Sequence, residues 1–240
     1  MNKQNYKIGF ADEQHNVVWG CLNKCAYCYA RPIANRFGYE QAEKECNYRK
    51  EHGISTKGMV FSDTVDFKPT FFYSQLEKRY KFKSTHIFMN SMSDIMYWKP
   101  EWWKLILNQI AKFPDIKFIF FTKAKELFKF DKYLDGKSNC VLIKTVESSK
   151  VFGSTLAKYG NYKSGLCIEP MQGRFRKLDL EWFEADFDWV IIGAETGNRK
   201  DKVRVRTEWI EPFYDLNIPV YMKDSIKDIV PADKFRQERI

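Results

Sequence analysis

The chain has 240 residues, 44% hydrophobic and 30% charged, a composition that fits a soluble globular protein with one sizeable core or two small ones. Forty Lys and Arg against 31 Asp and Glu give a net charge of +9, which favours a polyanionic or phosphate-bearing partner unless it serves solubility alone. No apolar run reaches the ~18 residues of a membrane span, the polar start lacks a secretory signal, and six cysteines are too few for a disulfide scaffold, so no membrane partner is expected and the expected location is the cytoplasm.

Short apolar or β-branched runs alternate with longer amphipathic stretches along the chain. The first run, His15–Gly20, leads into Cys21-Leu-Asn-Lys-Cys25-Ala-Tyr-Cys28, three cysteines in eight residues. A helix is expected over Ala26–Phe37. Residues 38–69 are the least regular stretch and read either as an insertion or lid, or as a helical hairpin. A helix over Thr70–Tyr80 precedes the second strand, His86–Asn90. A helix over Pro100–Phe113 follows, with Trp103 and Ile106 or Leu107 facing a core rather than serving with Trp98 and Trp102 as a stacking platform. The later strands are expected at Lys117–Thr122, Val141–Val146, Gly165–Pro170, Trp189–Ala194 and Pro219–Lys223, with a helix over Glu208–Leu216. Strands alternating with helices imply a parallel sheet. Right-handed crossovers would curl it into a partial (β/α) TIM-type barrel of about six to seven strands, formed by residues 1–240 as a single domain.

Almost every apolar run ends in polar or charged residues: Asn90, Ser91, Ser93 and Asp94; Thr122 and Lys123; Lys144, Thr145 and Glu147; Cys167 and Glu169; Glu195 and Thr196; Lys223 and Asp224. In parallel α/β folds the carboxyl ends of the strands form the active face. Six such endings in succession point to a shared site. Period-two alternation puts Cys167 on the face of Glu169. Cys167, Cys46 and Cys140 each read from the sequence as buried core residues.

The cysteine loop has three competing explanations. Three thiolates can hold a four-iron cluster and leave one iron open for chemistry. They can join Cys46 or His15 in a zinc site, although structural zinc favours two Cys-x2-Cys-like pairs and only Cys25 and Cys28 form one. Or they are reduced cysteines with no ligand.

Cys-x3-Cys-x2-Cys with an aromatic residue before the third cysteine is similar to the signature of the radical SAM superfamily. The resemblance extends to a phage- and mobile-element-associated, radical-SAM-like branch of unassigned function. It is carried by Trp19-Gly20-Cys21, Cys28-Tyr29-Ala30, Asn90–Asp94, Phe121-Thr122-Lys123, Glu169-Pro170 and Gly193–Gly197, in that order. Members of that branch often have a longer gap between the first two cysteines, whereas this chain has the three-residue gap of the wider superfamily. Spore photoproduct lyase is a more distant analogue. The resemblance implies a [4Fe–4S] cluster on Cys21, Cys25 and Cys28 that cleaves S-adenosylmethionine to methionine and a 5′-deoxyadenosyl radical. It also implies Tyr27 near the adenine and the Asn90, Ser91, Ser93 and Asp94 segment at the methionine amino group. Lys123 would serve the methionine carboxylate and Glu147 the ribose. Glu169, Glu195, Lys223 and Cys167 would face substrate. An external electron donor such as flavodoxin or ferredoxin is implied, and the host cytoplasm as location if the gene is phage-borne.

Basic residues gather after the later strands: Arg174, Arg176 and Lys177, then Arg199, Lys200, Lys202, Arg204 and Arg206. If they rim the barrel mouth, they suit a phosphorylated substrate, a nucleotide or a nucleic acid, with a nucleoside or nucleic-acid base as the expected target; an ordinary solvated loop is the alternative. A non-catalytic, zinc- or cluster-stabilised nucleic-acid-binding protein is the competing function.

Overall fold

A computed structural model of the chain describes residues 8–152, 159–197 and 199–240. They form two compact units. One is Glu13–Phe121; the other is Thr122–Ile240 together with the N-terminal segment up to Asp12.

In the first unit, β1 (Glu13–Gln14) is followed by β2 (Val18–Trp19), α1 (Ala30–Glu51), α2 (Phe61–Val65), β3 (Thr70–Phe71), β4 (His86–Phe88), α3 (Pro100–Ile110) and β5 (Lys117–Thr122). Strands β1, β4 and β5 run parallel, with Gln14 beside Phe88 and Phe88 beside Ile119. The strand expected at His15–Gly20 is divided. Its parallel pairing comes from Glu13–Gln14, whereas Val18 and Trp19 pair antiparallel with Phe71 and Thr70. That second pairing replaces the first part of the helix expected over Thr70–Tyr80. Thr-Phe-Phe-Tyr is β-favouring, and the backbone of Thr70 and Phe71 is taken up by the ladder with Trp19 and Val18, while Phe71 and Phe72 are both buried. Only a 3₁₀ turn at Tyr73–Gln75 remains helical.

The segment 38–69 is largely helical. Helix α1 starts later than expected, at Ala30, and runs on to Glu51. Its buried positions Ala30, Ala34, Gly38 and Ala42 recur every fourth residue. A Cβ on Gly38 would stand 3.0 Å from the Thr64 backbone of α2, so this small-residue stripe is what lets the two helices approach.

Buried His15 anchors the start of this unit. Its Nε2 donates to the Gln75 carbonyl at 2.5 Å and its Nδ1 accepts from the Tyr80 hydroxyl at 2.7 Å, which fixes the neutral tautomer. Burial pulls the imidazole pKa down to about 4. A depressed histidine pKa means that the unfolded chain takes up the proton first, so stability is complete above pH ~6.5 and falls as pH drops towards 4. Between pH 7 and 5 the chain should lose about 2 kcal/mol more than a His15→Gln variant. Urea titrations at the two pH values check this, and equal losses would contradict it.

In the second unit, α4 (Asp131–Leu134), β6 (Cys140–Val146), α5 (Ser149–Phe152), β7 (Lys163–Ile168), α6 (Lys177–Asp186), β8 (Trp189–Ile192), α7 (Thr207–Ile210) and β9 (Val220–Met222) follow in order. Strands β6 to β9 pair parallel in sequence, through Thr145–Cys167, Cys167–Ile191 and Ile191–Tyr221. Nearly all their residues are buried, as expected of strands covered on both faces. The core includes the packed rings of Phe152, Phe175, Phe183 and Phe213. Helix α7 stops at Ile210 and a 3₁₀ turn continues through Pro212, which lacks the N–H that a longer α-helix would use. Phe10 packs edge-on against Trp189 and Tyr221.

Among the described residues seven strands therefore lie in parallel ladders, three in the first unit and four in the second. The fold is α/β, of the partial (β/α)-barrel class. Among the same residues no helix is long and apolar enough to cross a membrane.

Candidate active site at the strand ends

In the first unit the cysteine loop leaves β2 beside the exit of β4. Gly20 bridges Ser93, and its N–H donates to the Met92 carbonyl at 2.8 Å. The Cys21 N–H donates to Phe67 O at 2.9 Å. Lys24, between the first two cysteines, has φ 40°, a left-handed conformation that tightens the loop. The Cys28 N–H closes a turn onto the Cys25 carbonyl at 3.2 Å. Cys21, Cys25 and Cys28 are each partly buried, and none is in a disulfide.

The Cys21 thiol is pushed up to about 12, first by burial and then by the charges of Asp94, Cys25 and Cys28, against the Asn23 N–H that donates to its Sγ. Three neighbouring thiols on one loop, with a backbone amide aimed at one sulfur, are in number and kind a soft donor set for an iron–sulfur cluster. As the side chains stand, no group of three or more His, Cys, Asp and Glu among the described residues is arranged to hold a metal ion. His15, the possible zinc partner, has both ring nitrogens committed elsewhere.

Asn23 was invisible in the motif. Its Nδ2 donates to Asp94 Oδ2 at 2.8 Å, and its Oδ1 accepts from the Tyr97 hydroxyl at 2.7 Å. It thereby ties the cysteine loop to the segment after β4. Asp94 also caps the following 3₁₀ turn through the Met96 N–H. Ser91 Oγ donates to Gln14 Oε1 and accepts from Asn16 Nδ2, and the Ser91 carbonyl takes the Tyr29 hydroxyl. Ser93 Oγ accepts from the Trp98 indole at 3.1 Å. Buried Asn90 exchanges two hydrogen bonds with the Phe121 backbone and holds β4 against β5. Tyr27 is partly buried on the cysteine loop. The structure thus gathers Cys21, Asn90, Ser91, Ser93 and Asp94 at one strand edge. Trp98, Trp102 and Trp103 are buried and make no exposed platform.

The second unit carries the remaining candidates. Lys123 Nζ meets Glu147 Oε1 at 2.5 Å, each side chain about a quarter exposed. Below them, Lys144 is almost fully buried and donates to the Lys123 and Ala124 carbonyls, both at 2.9 Å. It clamps the turn that carries Lys123, and its signal in the sequence is a lone lysine inside a buried strand. Lys223 Nζ pairs with Glu169 Oε2 at 2.6 Å. The two residues leave β7 and β9 with β8 between them. A Cβ on Gly193 would come within 3.0 Å of both Glu169 Oε1 and Lys223 Cδ, so the missing side chain makes their meeting possible. Burial pulls the Lys223 ammonium down, but the Glu169 carboxylate outweighs it and holds the ammonium above its usual value. Burial and then the Glu169 charge push the Cys167 thiol well up, against Lys223 and Lys123; Cys167 is thus a protonated thiol within reach of that pair's field. Glu195 does not join them. Its buried carboxylate is held by a two-pronged pair with Arg199, both contacts 2.7 Å, which lowers its pKa.

An α/β protein of partial-barrel class, with a thiol-bearing loop at one strand edge and paired Lys and Glu at others, is what fold and side chains define together. The chain belongs to the family described as "Protein of unknown function (DUF5131)", which it matches over residues 5–218. No curated protein and no solved structure matches it.

Proposed function

We propose that the chain is a radical SAM enzyme, with Cys21, Cys25 and Cys28 as the three ligands of a [4Fe–4S] cluster and S-adenosylmethionine as cofactor. The observation that carries this is the seating of the cysteine loop, through Gly20–Ser93 and Asn23–Asp94, against the polar exit of β4. A [4Fe–4S] cluster held by Cys21, Cys25 and Cys28 would supply one-electron reductive cleavage of S-adenosylmethionine, the chemistry that yields methionine and a hydrogen-abstracting 5′-deoxyadenosyl radical.

The protein's own residues position and select. Ser91, Ser93 and Asp94 offer oxygen acceptors to an ammonium group, and Asp94 is already turned towards the loop by Asn23. Tyr27 offers a ring to the adenine. Lys123 suits a carboxylate and Glu147 a ribose diol. These two neutralise each other without ligand, so cofactor binding exchanges one ion pair for two new contacts. Glu169, Lys223, Glu195 and Cys167 are assigned to the substrate side, with an external flavodoxin- or ferredoxin-type donor for the electron.

Anaerobic reconstitution with iron and sulfide, then reduction in the presence of S-adenosylmethionine, tests the assignment. A brown protein that forms 5′-deoxyadenosine supports it. A colourless protein with one tightly bound zinc and no cofactor cleavage would replace it with a non-catalytic nucleic-acid-binding role.

A further inference from the structure

The loops that leave β7 and β8 belong to neighbouring parallel strands, with Ile168 beside Ile192, and so emerge at one edge of the second unit. They are knit together there: the Gly193 N–H donates to Ile168 O and the Met171 N–H to Gly193 O, both at 3.0 Å. The Glu169–Lys223 pair lies at the same edge.

The basic residues near these strand exits differ in their partners: Lys202 donates to the Gly197 carbonyl and Arg206 lies 3.7 Å from Glu208. Arg176, itself exposed, and Arg199 are paired with Asp179 and Glu195 through contacts as short as 2.7 Å, which partly neutralise them. Arg174, Lys177, Lys200 and Arg204 are exposed, and none makes an ion pair or side-chain hydrogen bond with another described residue. Asp201 is the one acid among residues 199–206. Four such cations, spread over two loops and the first residue of α6, suit a ligand that carries a negative charge on every repeating unit.

We propose that this edge binds the phosphodiester backbone of single-stranded nucleic acid, gripped by Arg174, Lys177, Lys200 and Arg204. A backbone held there presents its bases to the Glu169 carboxylate and the Lys223 ammonium, an acceptor and a donor suited to base edges. A duplex would first have to unstack and flip the base, at a cost of a few kcal/mol that a single strand avoids. The proposal rests on the strand-end face being the reacting site, and it names the substrate class for that face.

The test is fluorescence anisotropy of the full chain with labelled single-stranded DNA and RNA oligonucleotides over a range of salt concentrations, without S-adenosylmethionine. The wild-type chain should bind with an affinity that falls steeply with salt. The quadruple variant R174Q, K177Q, K200Q and R204Q should lose ~10-fold or more at low salt, and its log–log salt slope should shrink by up to about 3, from ~0.7 per phosphate contact. A second quadruple variant, K50Q, K57Q, K83Q and K104Q, removes the same net charge from exposed lysines of the first unit and should bind nearly as wild type. Equal losses in the two variants, salt-independent binding, or equally tight binding of polyglutamate would each overturn the proposal. Because binding is read without the cofactor, its failure leaves radical generation untouched, and absent S-adenosylmethionine cleavage leaves this surface untouched.

Discussion

Replacing Cys28 by Ala is expected to abolish reductive cleavage of S-adenosylmethionine, by roughly 10³-fold or more, and to lower the iron retained after reconstitution. Three thiolates are the minimum that holds a four-iron cluster while leaving one iron open. The loop has no spare sulfur: Cys46 lies near the C-terminal end of α1, and Cys140 and Cys167 are buried strand residues. The same loss is expected for Cys21 and Cys25. The check is iron and sulfide content together with 5′-deoxyadenosine yield for each variant. Full activity in the Cys28→Ala chain would remove that residue from the ligand set.

The second large effect falls on a residue with no chemistry. Gly20 has φ +105°, a backbone conformation that side chains rarely adopt. A Cβ there would be driven into the Lys68 carbonyl and stand 2.6 Å from Pro69 N. Neither obstacle is a side chain that can swing away. Gly20→Ala should therefore cost about 3 kcal/mol or more of stability, combining backbone strain with a backbone clash. Local relief would instead break the Gly20–Met92 hydrogen bond and pull the cysteine loop off the β4 exit, so reconstitution would fail even in a folded chain. Urea unfolding and iron loading separate the two routes. A variant with wild-type stability and wild-type iron content would contradict both.

The strands of the second unit were legible because each is a compact apolar run, buried almost throughout, with a polar residue at its exit; Lys117–Thr122 in the first unit reads the same way. The start of the chain was not. Its parallel strand has only two residues, Glu13 and Gln14, both polar by type, and no periodicity can emerge from two positions. The length of α1 was hidden for a different reason: its buried face is Ala and Gly, chosen for close approach to α2, and carries little apolar contrast. Within the site, the cysteines announced themselves by spacing, and Glu169 and Lys223 by ending apolar runs. Their pairing across an intervening strand depends on the missing side chain of Gly193, and the tie from Asn23 to Asp94 spans 71 residues. Such contacts come from tertiary structure, and one sequence carries no local trace of them.

Whether the cysteine loop generates a radical is decided by analysis of the products. The anaerobically reconstituted wild-type chain, reduced with dithionite in the presence of S-adenosylmethionine, should release 5′-deoxyadenosine and methionine in equal amounts. Intact S-adenosylmethionine over a fully loaded, reduced cluster would contradict radical generation there.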